Sequence, residues 1–118
     1  MSTTKGRRGE DAACAWLVQH GHRILARNVR LARGELDIVA RDNESLLFIE
    51  VKAHRSRDSA LLAVTADKCR RLRQAAELWL ARHPQYASLQ CRFDLIMLTP
   101  ARERTGRFHI EHIKDIIR

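Results

Sequence analysis

The chain has 118 residues, which predicts one domain, spanning residues 1–118, with a hydrophobic core of its own. Apolar residues make up 45% and charged residues 31% of the sequence, values typical of a globular protein, so a largely disordered chain is excluded. The 22 Lys and Arg residues exceed the 14 Asp and Glu residues and leave a net charge of +8. This excess, carried mostly by arginine, favours a nucleic-acid partner, although the codon bias of a GC-rich genome explains it equally well.

No segment is typical of secretion or of a membrane span. Residues 1–10 are basic but no apolar segment follows them, and the longest nearly apolar stretch, residues 45–51, is far too short to cross a bilayer. The three cysteines, Cys14, Cys69 and Cys91, are far apart and lack zinc-binding spacing, which indicates free thiols in a reducing compartment. We therefore expect a cytoplasmic protein.

The N-terminal half predicts one helix followed by three strands. Apolar residues recur every three or four positions over residues 4–20, and Gly21 is placed to end this helix. The predicted strands cover residues 22–29, 35–41 and 46–53. A basic connector, residues 30–33, joins the first two strands. The turn-forming residues 42–45 predict that the second and third strands form an antiparallel hairpin.

The C-terminal half predicts a long helix and two further strands. A polar loop over residues 54–60 leads to a helix over residues 63–82, which Pro84 ends. The remaining predicted elements are strands over residues 91–98 and 107–113 and a last helical turn over residues 115–118. The order α-β-β-β-α-β-β indicates an α/β fold in which helices flank a mixed sheet.

The predicted hairpin brings acidic and basic side chains together. Side chains alternate between the two faces of a strand, so Glu50 and Lys52 share one face of the third strand. The antiparallel pairing places Asp37 across from Glu50. On the second strand the same alternation predicts that Leu36 and Ile38 share the face opposite to Asp37.

Such a pair of carboxylates has a specific chemistry. Two ionised carboxylates about 4 Å apart repel by about 4 kcal/mol at an effective dielectric constant near 20, unless a cation lies between them. Lys52 supplies one charge, whereas Mg²⁺ or Mn²⁺ supplies two and prefers oxygen ligands, here Asp37, Glu50 and the Val51 carbonyl. This pattern predicts metal-assisted phosphodiester hydrolysis, in which Lys52 orients or deprotonates the attacking water or stabilises transition-state charge. The alternative is a surface hairpin in which these side chains only form ion pairs.

At these residues the sequence resembles the PD-(D/E)xK nuclease superfamily, with Asp37 as the first acid and Glu50-Val51-Lys52 as the ExK element. More narrowly, it is similar to the YraN-like family of predicted endonucleases, which is related to archaeal Holliday-junction resolvases. The blocks that carry the resemblance are residues 34–40 and 48–52, then Gly9-Glu10, Asn28-Val29-Arg30, Ala63-Val64 with Lys68, and Arg92-Phe93-Asp94.

The resemblance implies a restriction-endonuclease-like (PD-(D/E)xK) core and roles for individual residues. It implies that Asp37 and Glu50 bind Mg²⁺ or Mn²⁺ and that Lys52 is the catalytic lysine. It further implies that Glu10 on the first helix is an additional catalytic acid and that Lys68 faces phosphate.

Basic residues on three segments are predicted to contact DNA. The candidates are Arg7, Arg8, Arg55, Arg70 and Arg71. The family usually has arginine two residues after the ExK lysine; His54 stands there in this sequence, so the adjacent Arg55 becomes the candidate. The arginine runs on the two helices are alternatively solvated faces that contact nothing.

Two acids have simpler alternative roles. Glu35 lies on the predicted face of Asp37, where it either supports that metal ligand or pairs with Arg33 or Arg41. Glu10 lies in the first turns of a helix, where the helix dipole alone favours an acid.

The sequence therefore predicts a Mg²⁺-dependent DNA endonuclease, with branched or recombination intermediates among its candidate substrates. The first alternative is a non-catalytic nucleic-acid-binding module that retains the nuclease fold. The second is an interaction protein whose charge only keeps it in solution. Monomer and homodimer both stay open.

Overall fold

A computed structural model describes residues 4–53, 56–100 and 108–117. The helices are α1 (Thr4–Gln19), α2 (Arg57–Leu62) and α3 (Ala66–Arg82), followed by a 3₁₀ turn at Pro84–Tyr86. The strands are β1 (Arg23–Leu31), β2 (Gly34–Arg41), β3 (Ser45–Ala53), β4 (Gln90–Pro100) and β5 (Phe108–Ile113). Within these ranges, no helix is long and apolar enough to cross a membrane.

The five strands form one mixed sheet in the order β1-β2-β3-β4-β5. β3 and β4 are parallel, because the chain crosses over through α2 and α3 between them, and the other neighbouring strands are antiparallel. The apolar face of α3 packs on one side of the sheet and that of α1 on the other. The expected α/β fold, with a mixed sheet flanked by helices, is confirmed.

Two predicted boundaries in the crossover are wrong. Part of the predicted loop over residues 54–60 is helical, because the Ser56 side chain accepts a hydrogen bond from the Ser59 amide and caps α2. The predicted helix over residues 63–82 begins only at Ala66, since Thr65 is extended and caps α3 by accepting from the Lys68 amide.

The predicted basic connector is instead part of a β-hairpin. β1 continues to Leu31, which pairs with Gly34, so that Ala32 and Arg33 alone form the turn between β1 and β2. Ala32 adopts a φ of 54°, in the left-handed region that such tight turns require. Arg30 and Arg33 are thereby held at the tip of the β1–β2 hairpin.

The side-chain alternation of β2 is not regular, so the prediction that Leu36 and Ile38 share a face is wrong. Leu36 packs on the α3 side, whereas Ile38 packs on the α1 side. On β1, Asn28 has a φ of 52° between the pairs Arg27↔Ile38 and Val29↔Leu36. β2 therefore changes faces at Asp37, at the level of the hairpin where Asn28 has its positive φ.

The last residues form an anchored tail and no helical turn. Arg92 donates two hydrogen bonds of 2.9 Å to the fully buried carboxylate of Asp94, and His112 Nε2 lies 2.7 Å from it. The amide of Asp115, whose φ is 59°, also donates to Asp94, and the amide of Ile116 donates to the Phe93 carbonyl. These long-range bonds hold residues 114–117 in an irregular path; Arg118 lies outside the described residues.

The Asp94 network predicts loss of stability in acid. Burial raises the pKa of Asp94, but the hydrogen bonds from His112, Arg92 and the Asp115 amide outweigh it and lower that pKa to about 2. Because the unfolded state binds this proton more tightly, the carboxylate stabilises the fold by about 2 kcal/mol above pH 4, and this is lost as the pH falls through 2.

We therefore expect Asp94→Asn to lower the free energy of unfolding at pH 7 by at least about 2 kcal/mol, and this difference to narrow below pH 3. Urea unfolding at a series of pH values measures it. The exposed Asp58→Asn is the control, and equal stability of both variants at pH 7 would contradict the assignment.

Candidate active site

An open cleft of about 730 Å³ lies between the β1–β2 turn and the first turns of α3. Its three predicted catalytic acids come from different elements, namely Glu10 from α1, Asp37 from β2 and Glu50 from β3. Lys52 on β3 and Lys68 on α3 also line it. The structure thus brings together the four predicted catalytic residues and Lys68.

Asp37 lies where the β2–β3 ladder ends. The last paired residues are Ile38 and Ile49, and the Val51 amide one step further donates a hydrogen bond of 2.9 Å to Asp37 Oδ2. Burial and the nearby charge of Glu50 raise the pKa of Asp37 to about 7, and Glu10 and Glu35 contribute to the increase. The cleft therefore holds this carboxylate at a considerable electrostatic cost.

Glu50 is buried, with 5% of its surface exposed, and is held between two ammonium groups. Lys52 Nζ lies 3.1 Å and Lys68 Nζ 2.6 Å from the same oxygen, Oε1. Lys68, which was expected to face phosphate, contacts Glu50 directly in this structure. Both lysines therefore offset the charge of an acid that burial alone would make costly.

The surroundings of Lys52 favour its charged form. Burial lowers the pKa of the Lys52 ammonium, but the charges of Glu50 and Asp37 outweigh burial and raise that pKa above its usual value. Lys52 is therefore protonated at neutral pH, a state that suits stabilisation of negative charge. Its role in orienting or deprotonating the attacking water stays a prediction.

Glu10 is buried on α1 with one oxygen unsatisfied. Its Oε2 has no hydrogen-bond partner among the described residues, and Arg27 Nη2, 3.9 Å away, donates instead to Asp11. Gly9 explains how Glu10 reaches the cleft, because a Cβ at this position would lie only 2.7 Å from Leu98 Cδ1. The absence of that Cβ lets α1 approach the sheet closely.

The donors in the cleft fit a hard divalent cation. The carboxylates of Asp37 and Glu50, the Val51 carbonyl and the orphaned oxygen of Glu10 are all oxygen ligands, which Mg²⁺ and Mn²⁺ prefer. Residues 4–53, 56–100 and 108–117 contain no group of three His, Cys, Asp or Glu side chains at ligand spacing. A site of two carboxylates, one carbonyl and several waters is typical of Mg²⁺.

The arginines predicted to bind DNA lie in different surroundings. Arg70 and Arg71 both form ion pairs with Asp67, which neutralises part of their charge, although Arg71 still lines the cleft. Arg7 and Arg8 are exposed at the start of α1, outside the cleft lining. Arg55 lies outside the described residues.

Comparison with known proteins gives the family. The chain matches the model of "Uncharacterised protein family UPF0102" over residues 9–98, a range that includes every residue lining the cleft. The chain belongs to this family. This confirms the family relationship that the motif blocks indicate, and the assignment of the family to the nucleases stays a prediction.

Two relatives match over most of their length. The UPF0102 protein of Nitrobacter winogradskyi is 45% identical over 97 residues, which cover 82% of each chain. That of Prosthecochloris aestuarii is 39% identical over 115 residues, 93% of this chain and 90% of the relative. Pyrococcus furiosus SfsA, solved with Ca²⁺, has a TM-score of 0.38 and 15% identity over 93% of this chain and 62% of that one, too low to carry an argument.

Three cleft residues have surroundings that the sequence did not predict. Arg30 and Arg33 line the cleft at the β1–β2 turn. The only sequence signal for this was the pair of arginines three positions apart in the predicted basic connector. Glu35 lines the same wall and is exposed. It forms no ion pair with Arg33 or Arg41 among the described residues, so its predicted alternative role as an ion-pair partner is not observed.

The raised pKa of Asp37 predicts a stabilising substitution. The folded state binds this proton more tightly than the unfolded state, so ionisation destabilises the fold increasingly between about pH 4 and pH 7 and costs up to about 4 kcal/mol above pH 7. Asp37→Asn avoids this cost and still accepts from the Val51 amide.

We therefore expect Asp37→Asn to be more stable than the wild type at pH 8 and equally stable near pH 4, as measured by urea unfolding. Asp42→Asn is the control, and it should be less stable than the wild type at pH 8. The reason is that hydrogen bonds from the Glu44 and Ser45 amides lower the pKa of Asp42 and so favour its ionised form in the folded state. A lower stability of Asp37→Asn at pH 8 would contradict the expectation.

Proposed function

We propose that this protein is a metal-dependent endonuclease that hydrolyses phosphodiester bonds in DNA, with a PD-(D/E)xK core. The observation that carries the proposal is the pair of acids Asp37, half-buried, and Glu50, buried, in a cleft rich in cations, with the pKa of Asp37 raised to about 7. A cleft that only binds polyanions gains nothing from two acids that repel phosphate. Strongly perturbed acids in a cleft are typical of functional sites.

The arrangement of the strands around this pair supports the assignment to that fold. The antiparallel pair β2–β3 carries Asp37, Glu50 and Lys52, and β4 lies parallel to β3. α1 and α3 cover opposite faces and each adds one charged group to the cleft, Glu10 and Lys68. These are the positions that the resemblance assigns to the catalytic acids and lysines.

The cleft residues have distinct roles in the proposed reaction. Asp37, Glu50 and the Val51 carbonyl hold Mg²⁺ or Mn²⁺, which would polarise the phosphoryl oxygen and lower the pKa of a bound water. The Lys52 ammonium stabilises the additional negative charge of the transition state. Glu10 adds a further acidic oxygen, which has no hydrogen-bond partner among the described residues, and Lys68 keeps Glu50 in place.

Cation binding is the first test of this proposal. Because the ligands repel each other when ionised, Mn²⁺ in large excess should raise the melting temperature of the wild type by several degrees at pH 8, and by less at pH 5. Asp37→Asn and Glu50→Gln should lose this increase, whereas Asp42→Asn, away from the cleft, should keep it. An equal increase in all four proteins would place the cation elsewhere.

Cleavage is the second test. With branched, single-stranded and duplex DNA, cleavage should require Mg²⁺ or Mn²⁺ and stop with EDTA. Asp37→Asn, Glu50→Gln and Lys52→Ala should each reduce the rate at least about 100-fold while DNA affinity stays within about threefold. Glu77→Gln and Lys114→Ala, both at exposed positions, are the matched controls. A variant series that cleaves as fast as the wild type would refute the proposed site.

A second candidate function is a non-catalytic nucleic-acid-binding module. The observation in its favour is that the Lys52 and Lys68 ammonium groups both contact Glu50 and offset its charge. Under this alternative, the wild type binds DNA but does not cleave it under any cation, and Lys52→Ala weakens binding as strongly as any cleft arginine.

A further inference from the structure

The β1–β2 turn, taken here with the flanking strand residues as residues 30–34, contributes one wall of the cleft. Arg30, Ala32, Arg33 and Gly34 all line the cleft from this side. The pair Leu31↔Gly34 closes the turn, and Ala32 at a φ of 54° reverses the chain within two residues. The two arginines are therefore presented from a tight, hydrogen-bonded hairpin.

The base of this turn is fixed against α3. A Cβ at Gly34 would collide with the Arg71 carbonyl oxygen and lie 2.9 Å from Ala75 Cβ, so only glycine permits this approach. Leu31 and Leu36, on either side of the turn, are buried in the core cluster that α3 covers. The backbone of the turn is thus held in place before any ligand arrives, which reduces the entropy lost on binding.

The two arginines of the turn have uncompensated charges. Both are exposed, and neither forms an ion pair with any residue in the described part of the chain. Glu35 lies opposite Arg30 in the β1–β2 register, but the two side chains form no ion pair. On α3, by contrast, Asp67 binds both Arg70 and Arg71. The free positive charge at the edge of the cleft therefore comes from the turn.

We infer that the β1–β2 turn is a phosphate-binding arm, in which Arg30 and Arg33 bind backbone phosphates of DNA next to the one that faces Asp37 and Glu50. This inference rests on the proposed function for its ligand and adds the contacts that hold that ligand. One guanidinium group can donate two parallel hydrogen bonds to two oxygens of the same phosphate, a bidentate contact that the lysine ammonium does not offer. Because phosphate contacts carry no base information, the arm binds all sequences equally.

Salt dependence of DNA binding tests the arm without any catalytic step. Fluorescence anisotropy of a labelled duplex in EDTA gives the affinity over a range of salt concentrations for the wild type and for Arg30→Ala/Arg33→Ala. Each lost phosphate contact should reduce the slope of log K against log salt by about one, so the double variant should lose about two. Its affinity should fall at least about tenfold at low salt.

The control removes the same two charges elsewhere. Arg23→Ala/Arg82→Ala alters exposed arginines outside the cleft lining and should leave the slope unchanged. Arg30→Lys/Arg33→Lys retains both charges and should preserve most of the slope. If the alanine pair fails to fold, Arg33→Glu at the exposed turn replaces it and should reduce the slope, whereas the lysine pair should not. Equal slopes for the alanine pair and the wild type, or equal losses in the cleft and control pairs, would overturn the inference.

The outcomes separate the arm from the proposed reaction. If the wild type binds DNA through the arm but never cleaves it, the arm stands and the hydrolysis proposal fails. If the wild type cleaves DNA and the alanine pair binds as tightly as the wild type, the arm alone is refuted. If the wild type does not bind DNA at any salt concentration, both are refuted.

Discussion

The repulsion between Asp37 and Glu50 inside one cleft is the constraint on which much of the surrounding structure depends. Burial and the charge of Glu50 together hold the pKa of Asp37 near 7, far above its usual value. The fold offsets this cost with one backbone amide, that of Val51, on Asp37 and two lysine ammonium groups on Glu50. In the proposed reaction a divalent cation would relieve what remains, and cation binding would then be linked to stability at this site.

Asp94 and Asp37 show how differently one fold stabilises the same type of side chain. Asp94 receives hydrogen bonds from Arg92, His112 and a backbone amide, and its pKa falls to about 2. It ties the end of the chain to β4 and serves stability. Asp37 receives one hydrogen bond and faces other acids, so its pKa rises. The contrast separates a structural carboxylate from one that is retained at a cost to stability.

Only some of the basic residues are available to bind a ligand, because others already form ion pairs. Of 22 basic residues, several form ion pairs with nearby acids, as Arg27 does with Asp11 and Arg71 with Asp67. Arg30 and Arg33 form none within the described residues and lie at the edge of the cleft. Net charge therefore indicates the class of partner, whereas the pattern of ion pairs indicates which surface is free to bind it.

The sequence by itself determined what depends on local periodicity: helices α1 and α3, the five strands, the β2–β3 hairpin, and Glu50 and Lys52 on one face of a strand. Tertiary structure alone decided that Asp37 lies at a change of strand face, that Lys68 binds Glu50, and that the β1–β2 turn lines the cleft. The reason is physical. Strand and helix periods follow from backbone geometry over a few residues, whereas these contacts join elements distant in sequence, whose approach is set by packing at single positions such as Gly34.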